Sequence, residues 1–407
     1  MKTIFLLLSI TLFSQSYAQN WPKWRGPAGN GRLENAILPS AWPEKLQPVW
    51  QIKTGVGYSA PIVVEQSIYL LSREQDATEV LSRHDLASGK EIWRHTNKAP
   101  FKKNPAAQRH PKGSFSTPLY HNGRIYSLGV NALLKCLDAR DGKLLWQRHY
   151  SDRITTDGAF YGTAMSPIAV DSLIIVHVGD AKHGAIIAYE LTTGRQKWIL
   201  KKYMPGFSTP IVKTISGVKQ LITLSLKSCI GVEINSGKAL WEIPFLDEYC
   251  ENIVDPVYEN DILLISGVRL GTYAYRLKLT QNTWKIEKVW HSAELPMYMS
   301  SPVVYDDVIF GFSPKRKGQL FCRKIETGEI LWQTEGKLGS HGALIAHKDI
   351  LFVATEDGIL WLLKPNPKAY EALGKYQISE NMMWAFPVIL NNGVLARDVN
   401  GLTFRKF

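Results

Sequence analysis

Three oxygen-bearing side chains in the second half of the chain are the strongest candidates for metal chemistry. Glu251, Asn252 and Asp255 carry the carboxylate and amide oxygens that a hard cation such as Ca²⁺ prefers. All three fall in one short segment between apolar stretches, which predicts a single loop. A structural or partner-binding role is the simpler interpretation of this loop, and a calcium site is the alternative.

The cysteines and histidines show no spacing typical of catalysis or of a zinc site. The four cysteines are Cys136, Cys229, Cys250 and Cys322, and none forms a Cys-x-x-Cys motif or a Cys/His cluster. A disulfide between Cys229 and Cys250 is compatible with an oxidising compartment, and the sequence leaves their pairing open. His110 and His341 are isolated, which favours hydrogen-bonded histidines at the rim of the fold over ligands. No Gly-x-Ser-x-Gly motif supports serine-hydrolase chemistry.

The first residues have the pattern of an export signal. Lys2 precedes an uncharged apolar run at residues 4–13, and Ser16 and Ala18 are small residues suited to cleavage before Gln19. The run is far shorter than the roughly 20 residues that cross a bilayer, and no later stretch is long enough. We therefore expect a removable signal peptide, no transmembrane segment and a soluble mature protein that is periplasmic or secreted.

The charge of the chain is basic but dispersed. Its formal net charge is +12, and its densest basic stretches lie between apolar segments. A solvated loop is the simpler interpretation of such stretches, and a binding site for an anionic lipid, a glycan or an acidic protein is the alternative. For an exported chain without a nucleic-acid-binding motif, we expect no nucleic-acid partner.

A short phrase that ends in tryptophan recurs through most of the chain. Most copies have the form Asp/Glu-x-x-Ser/Thr-Gly-x-x-x-Trp, with the Gly four residues before the Trp. The copies end at Trp93, Trp146, Trp198, Trp241 and Trp332, and Trp50 and Trp290 continue the spacing. A repeat of roughly 45 residues has the length of a four-stranded β-propeller blade.

Each repeat predicts a β-hairpin. A polar turn that ends in Gly joins two antiparallel strands, because Gly adopts positive φ without steric cost. The Trp lies on the second strand, where we expect it to fill the gap between blades rather than bind a ligand. A Ser or Asp and a Pro begin each unit, as in Ser116-Thr117-Pro118, and proline is tolerated at the first residue of a strand.

The last unit is incomplete, which predicts how the ring closes. It supplies three strands after residue 385, and residues 47–52 form a strand-like segment without a hairpin partner. We predict an all-β fold: an eight-bladed β-propeller of four-stranded antiparallel blades, with the last blade closed by the N-terminal strand. The signal peptide then covers residues 1–18, an N-terminal extension residues 19–46, and a single propeller domain residues 47–407.

Two units depart from the pattern. The fifth lacks the Gly turn and has a longer hairpin around residues 281–284. The seventh places Ile378 where the repeat would have a Trp.

The repeated phrase resembles the pyrroloquinoline-quinone-like propeller repeat of the quinoprotein alcohol dehydrogenase-like family, over nearly the whole mature chain. The opening Trp21-Pro22-Lys23-Trp24-Arg25-Gly26 is similar to the N-terminus of exported members of this family. The resemblance implies the propeller fold. It does not imply one function, because the repeat occurs both in dehydrogenases and in a lipoprotein that assists outer-membrane β-barrel assembly.

For a dehydrogenase, the resemblance implies bound pyrroloquinoline quinone (PQQ) and calcium, with Glu and Asn ligands, an Asp base and a vicinal cysteine pair. Glu251, Asn252 and Asp255 supply the first three residue types, but from one loop, whereas a cofactor in the channel draws ligands from several blades. The cysteine pair is absent. We expect no cofactor, with PQQ and calcium as the alternative.

Ligand-binding residues are expected where the loops that lead into the innermost strands meet, at one mouth of the channel. The candidates are Tyr58, Arg109, His110, Tyr161, Tyr298, His341 and Trp384. This mouth is aromatic with one acidic sector, a composition that suits a peptide, a sugar or a planar cofactor. Packing of the loops alone is an equally good explanation of the aromatic residues.

These observations favour a non-catalytic binding or scaffold protein of the cell envelope. We expect it to be a monomer that binds a protein or an envelope polymer at the channel rim. A PQQ- and calcium-dependent alcohol or sugar dehydrogenase is the first alternative, and an accessory factor for outer-membrane protein assembly is the second.

Overall fold

Eight four-stranded antiparallel sheets form the part of the chain that the structure, a computed structural model, describes. That part comprises residues 20–75, 77–101, 112–150, 162–180, 182–248 and 251–407. Within these ranges the only helix is one 3-10 turn at Lys315–Lys317, and no helix is long and apolar enough to cross a membrane. The predicted eight-bladed β-propeller is confirmed.

Each blade is built from strands that are consecutive in sequence, except the last, which borrows the first strand of the chain. Blades 1 to 4 contain β2 Ile62–Val64, β3 Ser67–Glu74, β4 Thr78–Asp85 and β5 Glu91–Lys98; β6 Leu119–His121, β7 Arg124–Leu128, β8 Leu133–Asp138 and β9 Leu144–His149; β10 Ile168–Val170, β11 Leu173–Gly179, β12 Gly184–Glu190 and β13 Gln196–Lys201; β14 Ile211–Ile215, β15 Val218–Leu224, β16 Ser228–Glu233 and β17 Ala239–Pro244. Blades 5 to 8 contain β18 Val257–Glu259, β19 Ile262–Gly267, β20 Gly271–Thr280 and β21 Thr283–Ser292; β22 Val303–Tyr305, β23 Val308–Ser313, β24 Gln319–Lys324 and β25 Ile330–Gln333; β26 Gly342–Ala346, β27 Leu351–Thr355, β28 Ile359–Leu363 and β29 Ala372–Gln377; β30 Val388–Leu390, β31 Gly393–Arg397, β32 Gly401–Lys406 and β1 Gln47–Lys53.

The middle strands of the blades are buried because each blade packs between two neighbours. Every residue of β11 and of β27 is buried. The outermost strands instead alternate between exposed and half-buried residues, as in β5. Apolar clusters therefore lie between blades, and one of them joins side chains of blades 2 and 3.

A tryptophan on the outermost strand of one blade lies against a glycine turn of the next. The ring of Trp93 covers Gly142, where an added Cβ would lie 2.7 Å from the ring, and Trp93 Nε1 donates to Ala139 O at 3.2 Å. The same contacts join Trp50 to Gly89, Trp146 to Gly194, Trp198 to Gly237 and Trp290 to Gly328. The predicted packing of the repeat tryptophans between blades is confirmed.

Blade 5 departs from this pattern, as the sequence predicts. Its two outer strands extend to a turn at Gln281 and Asn282, both with positive φ as in a type I′ turn. Trp241 of blade 4 accordingly donates its Nε1 hydrogen to Gln220 of its own blade, at 2.6 Å.

In blade 7, Gly374 occupies the position that a Trp has in most other blades. The sequence analysis assigned this position to Ile378, and that assignment is wrong. In other blades the Trp lies opposite the residue before a bulge, and in blade 7 that residue is Leu362, which pairs with Gly374. The longer loop between β28 and β29 shifts the count, so Ile378 falls just after β29, where it is buried. Trp332 of blade 6 still docks here, because Asn366 O in that loop accepts its Nε1 hydrogen at 2.8 Å.

The N-terminal strand closes the ring, as predicted. β1 pairs antiparallel with β32 along its length, with one bulge. Trp50 of β1 reaches across to blade 1, where Leu86 O accepts its Nε1 hydrogen at 2.9 Å. Arg397 of β31 is buried and adds a second link, because its Nη1 donates to Ser59 O and Leu71 O of blade 1 at 2.6 and 2.7 Å.

Residues 20–33 cross the central channel, which the sequence did not predict, and we call this segment the N-terminal plug. At one end Trp21 exchanges backbone hydrogen bonds of 2.6 and 3.0 Å with Val63 of β2. At the other end Leu33 N donates to Ala346 O of β26 at 2.8 Å. The plug therefore spans from blade 1 to blade 7, and Trp21 and Leu33 are almost fully buried.

Two glycine substitutions test the contact between ring and turn. Gly142 and Gly123 have φ values of +73° and +75°, but an added Cβ at Gly123 would meet no atom within 4 Å. Both Gly→Ala changes carry the backbone strain of about 1–2 kcal/mol, and we expect Gly142→Ala to cost about 1–3 kcal/mol more because the methyl group displaces Trp93. Urea denaturation measures the difference, and equal midpoints for the two variants would contradict the docking.

Two truncations separate closure of the ring from the plug. A chain that starts at residue 47 keeps β1 but lacks the plug, and a chain that starts at residue 54 lacks both. We expect the amides of β32 to stay protected in the first and to lose protection in the second, because β32 becomes an open sheet edge. Hydrogen-exchange mass spectrometry checks this, and equal protection of β32 in both chains would rule out closure by β1.

Candidate binding site

The loops that lead into the innermost strands line a cavity of about 160 Å³ at one mouth of the channel, which we call the cup. Each blade contributes to the wall, through Tyr58, Phe115, Ala164, Phe207, Ile253, Met299, His341 and Trp384. Trp24 of the plug and Asp255 of blade 5 also line it. The cup is therefore mainly apolar and aromatic.

A chain of hydrogen bonds between blades holds these loops in place. Each donor is the backbone N–H of the residue before the proline that starts a blade, and each acceptor is the side-chain oxygen of the equivalent residue in the next blade. The bonds run from Ala60 to Thr117, Thr117 to Ser166, Ser166 to Thr209, Thr209 to Asp255 and Asp255 to Ser301, at 2.7 to 3.2 Å. We call this the pre-proline belt, and it gives the Ser, Thr and Asp before each proline a structural role.

Asp255 is the acidic member of this belt, and both of its oxygens are bound to protein groups. Oδ1 accepts the Thr209 N–H at 2.7 Å, and Oδ2 accepts the Trp24 Nε1 hydrogen at 2.7 Å. The buried Arg25 guanidinium lies 3.8 Å from Oδ2. Burial raises the pKa of Asp255, and the charge of Arg25 opposes that shift. Asp255 therefore anchors the plug rather than offering a free base.

The side chains of Glu251 and Asn252 are each bound to protein groups through one atom, whereas the buried Asn252 Oδ1 has no hydrogen-bond partner among the described residues. The Tyr298 hydroxyl donates to Glu251, and burial raises the pKa of this carboxyl. The Asn252 amide nitrogen donates to Ser225 O at 2.7 Å and to Phe245 O at 3.0 Å. The amide therefore ties this loop to two other backbone segments.

These contacts do not fit a calcium ion with a quinone. Asp255 faces two N–H donors and a guanidinium, which supply the positive charge that a metal ion would bring. In the ranges that the structure describes, no three His, Cys, Asp or Glu side chains are grouped so that they could hold a metal ion. The vicinal cysteines that the resemblance implies for a quinone site are missing from the sequence.

The aromatic wall of the cup is uncharged at neutral pH. The His341 ring stacks on Trp384 with centroids 4.9 Å apart and an interplanar angle of 7°, and Tyr58 lies 6.0 Å from Trp384. Burial lowers the pKa of His341 to about 4, so its imidazole is neutral. Burial also raises the pKa of Tyr58 to about 12. Such a wall offers mainly apolar and stacking contacts.

The structure brings together some of the residues that the sequence proposed for the channel mouth. Tyr58, His341 and Trp384 line the cup side by side. Tyr298 instead donates to Glu251. The other three candidates, Arg109, His110 and Tyr161, lie outside the described residues.

The cysteines described are buried thiols. Cys136 and Cys322 lie at equivalent positions in blades 2 and 6, each opposite its blade's Trp. Cys229 on β16 is also buried, and burial raises the pKa of its thiol above the usual range. Its proposed partner Cys250 lies outside the described residues, so the pairing stays a prediction.

Sequence reasoning missed the contribution of the plug to the cup. Trp24 and Arg25 precede the first blade and belong to no repeat, so nothing local ties them to Asp255 of blade 5. The one available signal was the density of aromatic residues and glycine at residues 21–31, which is unusual for a solvated extension.

The chain resembles proteins of one family in sequence. The profile of the family described as "Outer membrane protein assembly factor BamB" matches residues 76–334. The chain is 24% identical to that factor from Shewanella oneidensis over 322 residues, which cover 78% of this chain and 77% of the relative. It is 21% identical to the factor from Burkholderia pseudomallei over 331 residues, with 78% and 77% covered.

Solved structures of two functional kinds share the fold. BamB from Moraxella catarrhalis superposes with a TM-score of 0.63 at 14% identity, over 89% of this chain and all of that one. A europium-containing methanol dehydrogenase superposes with a TM-score of 0.70 at 12% identity, over 94% of this chain and 90% of that one. At such identities these likenesses establish the fold and leave the function to the residues of the site.

Two buried histidines predict a loss of stability in weak acid. Burial lowers the pKa of both His341 and His177 to about 4, below the value near 6.5 in an unfolded chain. Between these values the unfolded chain binds protons that the folded protein does not, so stability falls as the pH drops. We expect a loss of about 2 kcal/mol per histidine from pH 7 to pH 5.

Denaturant titrations at the two pH values measure this loss. The His341→Gln variant should lose less stability between them than the wild-type protein. The same loss in both proteins would show that folding does not lower the pKa of His341.

Proposed function

Because the chain belongs to the family of outer membrane protein assembly factor BamB, we propose that it is a non-catalytic binding platform of the cell envelope whose cup receives a segment of a polypeptide partner. The relatives carry the name of an assembly factor, and such a task requires binding rather than turnover. The N-terminal pattern at residues 1–18 supports export to the periplasm, and a monomeric propeller is sufficient for this role.

The observation that carries the proposal is that polar side chains of the cup bond to the protein itself, whereas most of the lining is apolar and aromatic. The polar groups Asp255, Thr209 and Ser301 are engaged in the pre-proline belt. The rest of the lining is mainly apolar, and its aromatic side chains include Tyr58 and Trp384. Apolar pockets of this kind favour aromatic or aliphatic side chains of a partner, which contribute most to binding when fully buried.

A narrower function within this proposal is assistance in outer-membrane protein assembly. The family match favours it, because the profile covers residues 76–334 and carries that description. Recovery of barrel-assembly components by crosslinking from the cup in the native envelope would support it. Recovery of envelope polymers alone would contradict it while leaving a binding role.

A quinone-dependent dehydrogenase is the competing function, and the shared fold is its only support. The Arg25–Asp255 pair and the missing vicinal cysteines oppose it. Loading the purified protein with PQQ and Ca²⁺ distinguishes a dehydrogenase from a binding protein. Dye-linked oxidation of alcohols or sugars by this preparation would overturn the non-catalytic proposal.

Cup variants test the binding role directly. The probe is an extended synthetic peptide with alternating aromatic side chains, compared with a peptide in which Ser replaces each aromatic. We expect Phe207→Ala and Trp384→Ala each to weaken binding of the aromatic peptide by about tenfold, the effect of losing an aromatic anchor. Fluorescence anisotropy measures the affinity.

The matched control is Tyr370→Ala, which removes an exposed aromatic from the loop before β29. It should leave the affinity unchanged. Equal affinity of the two peptides, or equal loss in all three variants, would show that the cup is not the binding site.

A further inference from the structure

A second cavity, of about 280 Å³, lies on the other side of the plug, and we call it the lower cavity. Plug residues between positions 23 and 32 form one wall, and the innermost strands of blades 3 to 6 form the other. Trp24 and Thr209 line both this cavity and the cup, so the plug separates the two. The volume corresponds to about nine water molecules, enough for a small organic ligand.

The plug covers the channel unevenly, which leaves an apolar wall in the lower cavity. The innermost strands β2 and β30, of blades 1 and 8, are completely buried. All three residues of β10 in blade 3 are only half-buried, and so are Ile211 and Val212 of β14 in blade 4. Aliphatic side chains of these two strands therefore face open space in the channel.

The charged groups of the lower cavity leave a positive surplus. Lys213 and Glu259 pair at 3.0 Å, and Arg25 lies beside Asp255. Arg32 has a looser contact of 3.8 Å with the exposed Glu34. Most of the acidic charge near the cavity is thus already matched by a cation of the protein.

Lys23 is the cation that the protein does not compensate. Within the described ranges its ammonium group takes part in no ion pair and no hydrogen bond, although burial lowers its pKa. Its side chain lies over Gly29, where an added Cβ would be 3.6 Å from Lys23 Cε. A half-buried ammonium group that has no partner in the protein is stabilised by an anion that reaches it.

We propose that the lower cavity binds an anionic amphiphile, whose head group pairs with Lys23 and whose alkyl chain lies against β10 and β14. A metal cation is disfavoured by the positive surplus. A neutral sugar would leave the ammonium of Lys23 without a partner, and it would set hydroxyl groups against the aliphatic wall. A carboxylate and a phosphate monoester share the required chemistry, so a free fatty acid and a lipid-derived phosphate are the two sources to distinguish.

Isothermal titration of the mature chain with ten-carbon amphiphiles tests this site. Decanoate and decyl phosphate are the anionic probes, and decyl maltoside is the neutral one. We expect one anionic amphiphile per chain, much weaker binding of the maltoside, and about a tenfold loss of anion affinity in Lys23→Met, the effect of a charge-assisted hydrogen bond. Lys23→Arg should retain the affinity.

Two further variants test whether the amphiphile binds in the lower cavity rather than through the net positive charge of the protein or in the cup. Lys45→Met removes the same charge at an exposed position before β1 and should bind like the wild-type protein. Val212→Asn places a polar group in the apolar wall and should weaken both anions. A thermal melt of each variant confirms folding, and Lys23→Arg keeps the test valid if Lys23→Met loosens the plug.

The outcomes are decisive in both directions. Binding of either anion that falls in Lys23→Met and Val212→Asn supports the site, and the preference between the anions identifies the source. Equal affinity in Lys23→Met and Lys45→Met would overturn the proposal. So would a loss of binding in Phe207→Ala without a loss in Val212→Asn, because the amphiphile would then occupy the cup.

Discussion

A tryptophan ring that packs on the glycine turn of the next blade joins most neighbouring blades of the propeller. The turn must adopt positive φ and must lack a Cβ, because the ring occupies the space where a side chain would begin. Among the described residues, five turn glycines receive a ring in this way, and each ring comes from the outermost strand of the preceding blade. This relation fixes the rotation from blade to blade, and Trp50 on β1 continues it across the closure of the ring.

The rotation between blades also determines which loop residues meet around the channel. Because the blades are held at fixed angles, residues before each proline meet their equivalents in the next blade and form the pre-proline belt. The plug then divides the channel into a cup with an aromatic, uncharged wall and a lower cavity with a positive surplus. Two environments of different chemistry thus arise from one symmetric frame, because an asymmetric segment crosses it.

The same frame carries dehydrogenases and assembly factors, so the distinction between them lies in a few side chains. In this chain the decisive group is Asp255, whose oxygens face Thr209, Trp24 and Arg25. A carboxylate in this position holds the plug in the channel, which is a structural task. The preference for a binding role over a redox role follows from this pairing and not from the fold.

The sequence alone determined the repeat, the blade count and the closing strand, because each of these depends on local patterns: a turn glycine, a tryptophan four residues later, and a last unit one strand short. It failed at Ile378, since a longer loop shifted the register. Only the tertiary structure showed that the plug lies in the channel and that Asp255 pairs with Arg25. Those contacts join Trp24 and Asp255 across 231 residues of chain, and no local propensity or periodicity encodes a pairing over that distance.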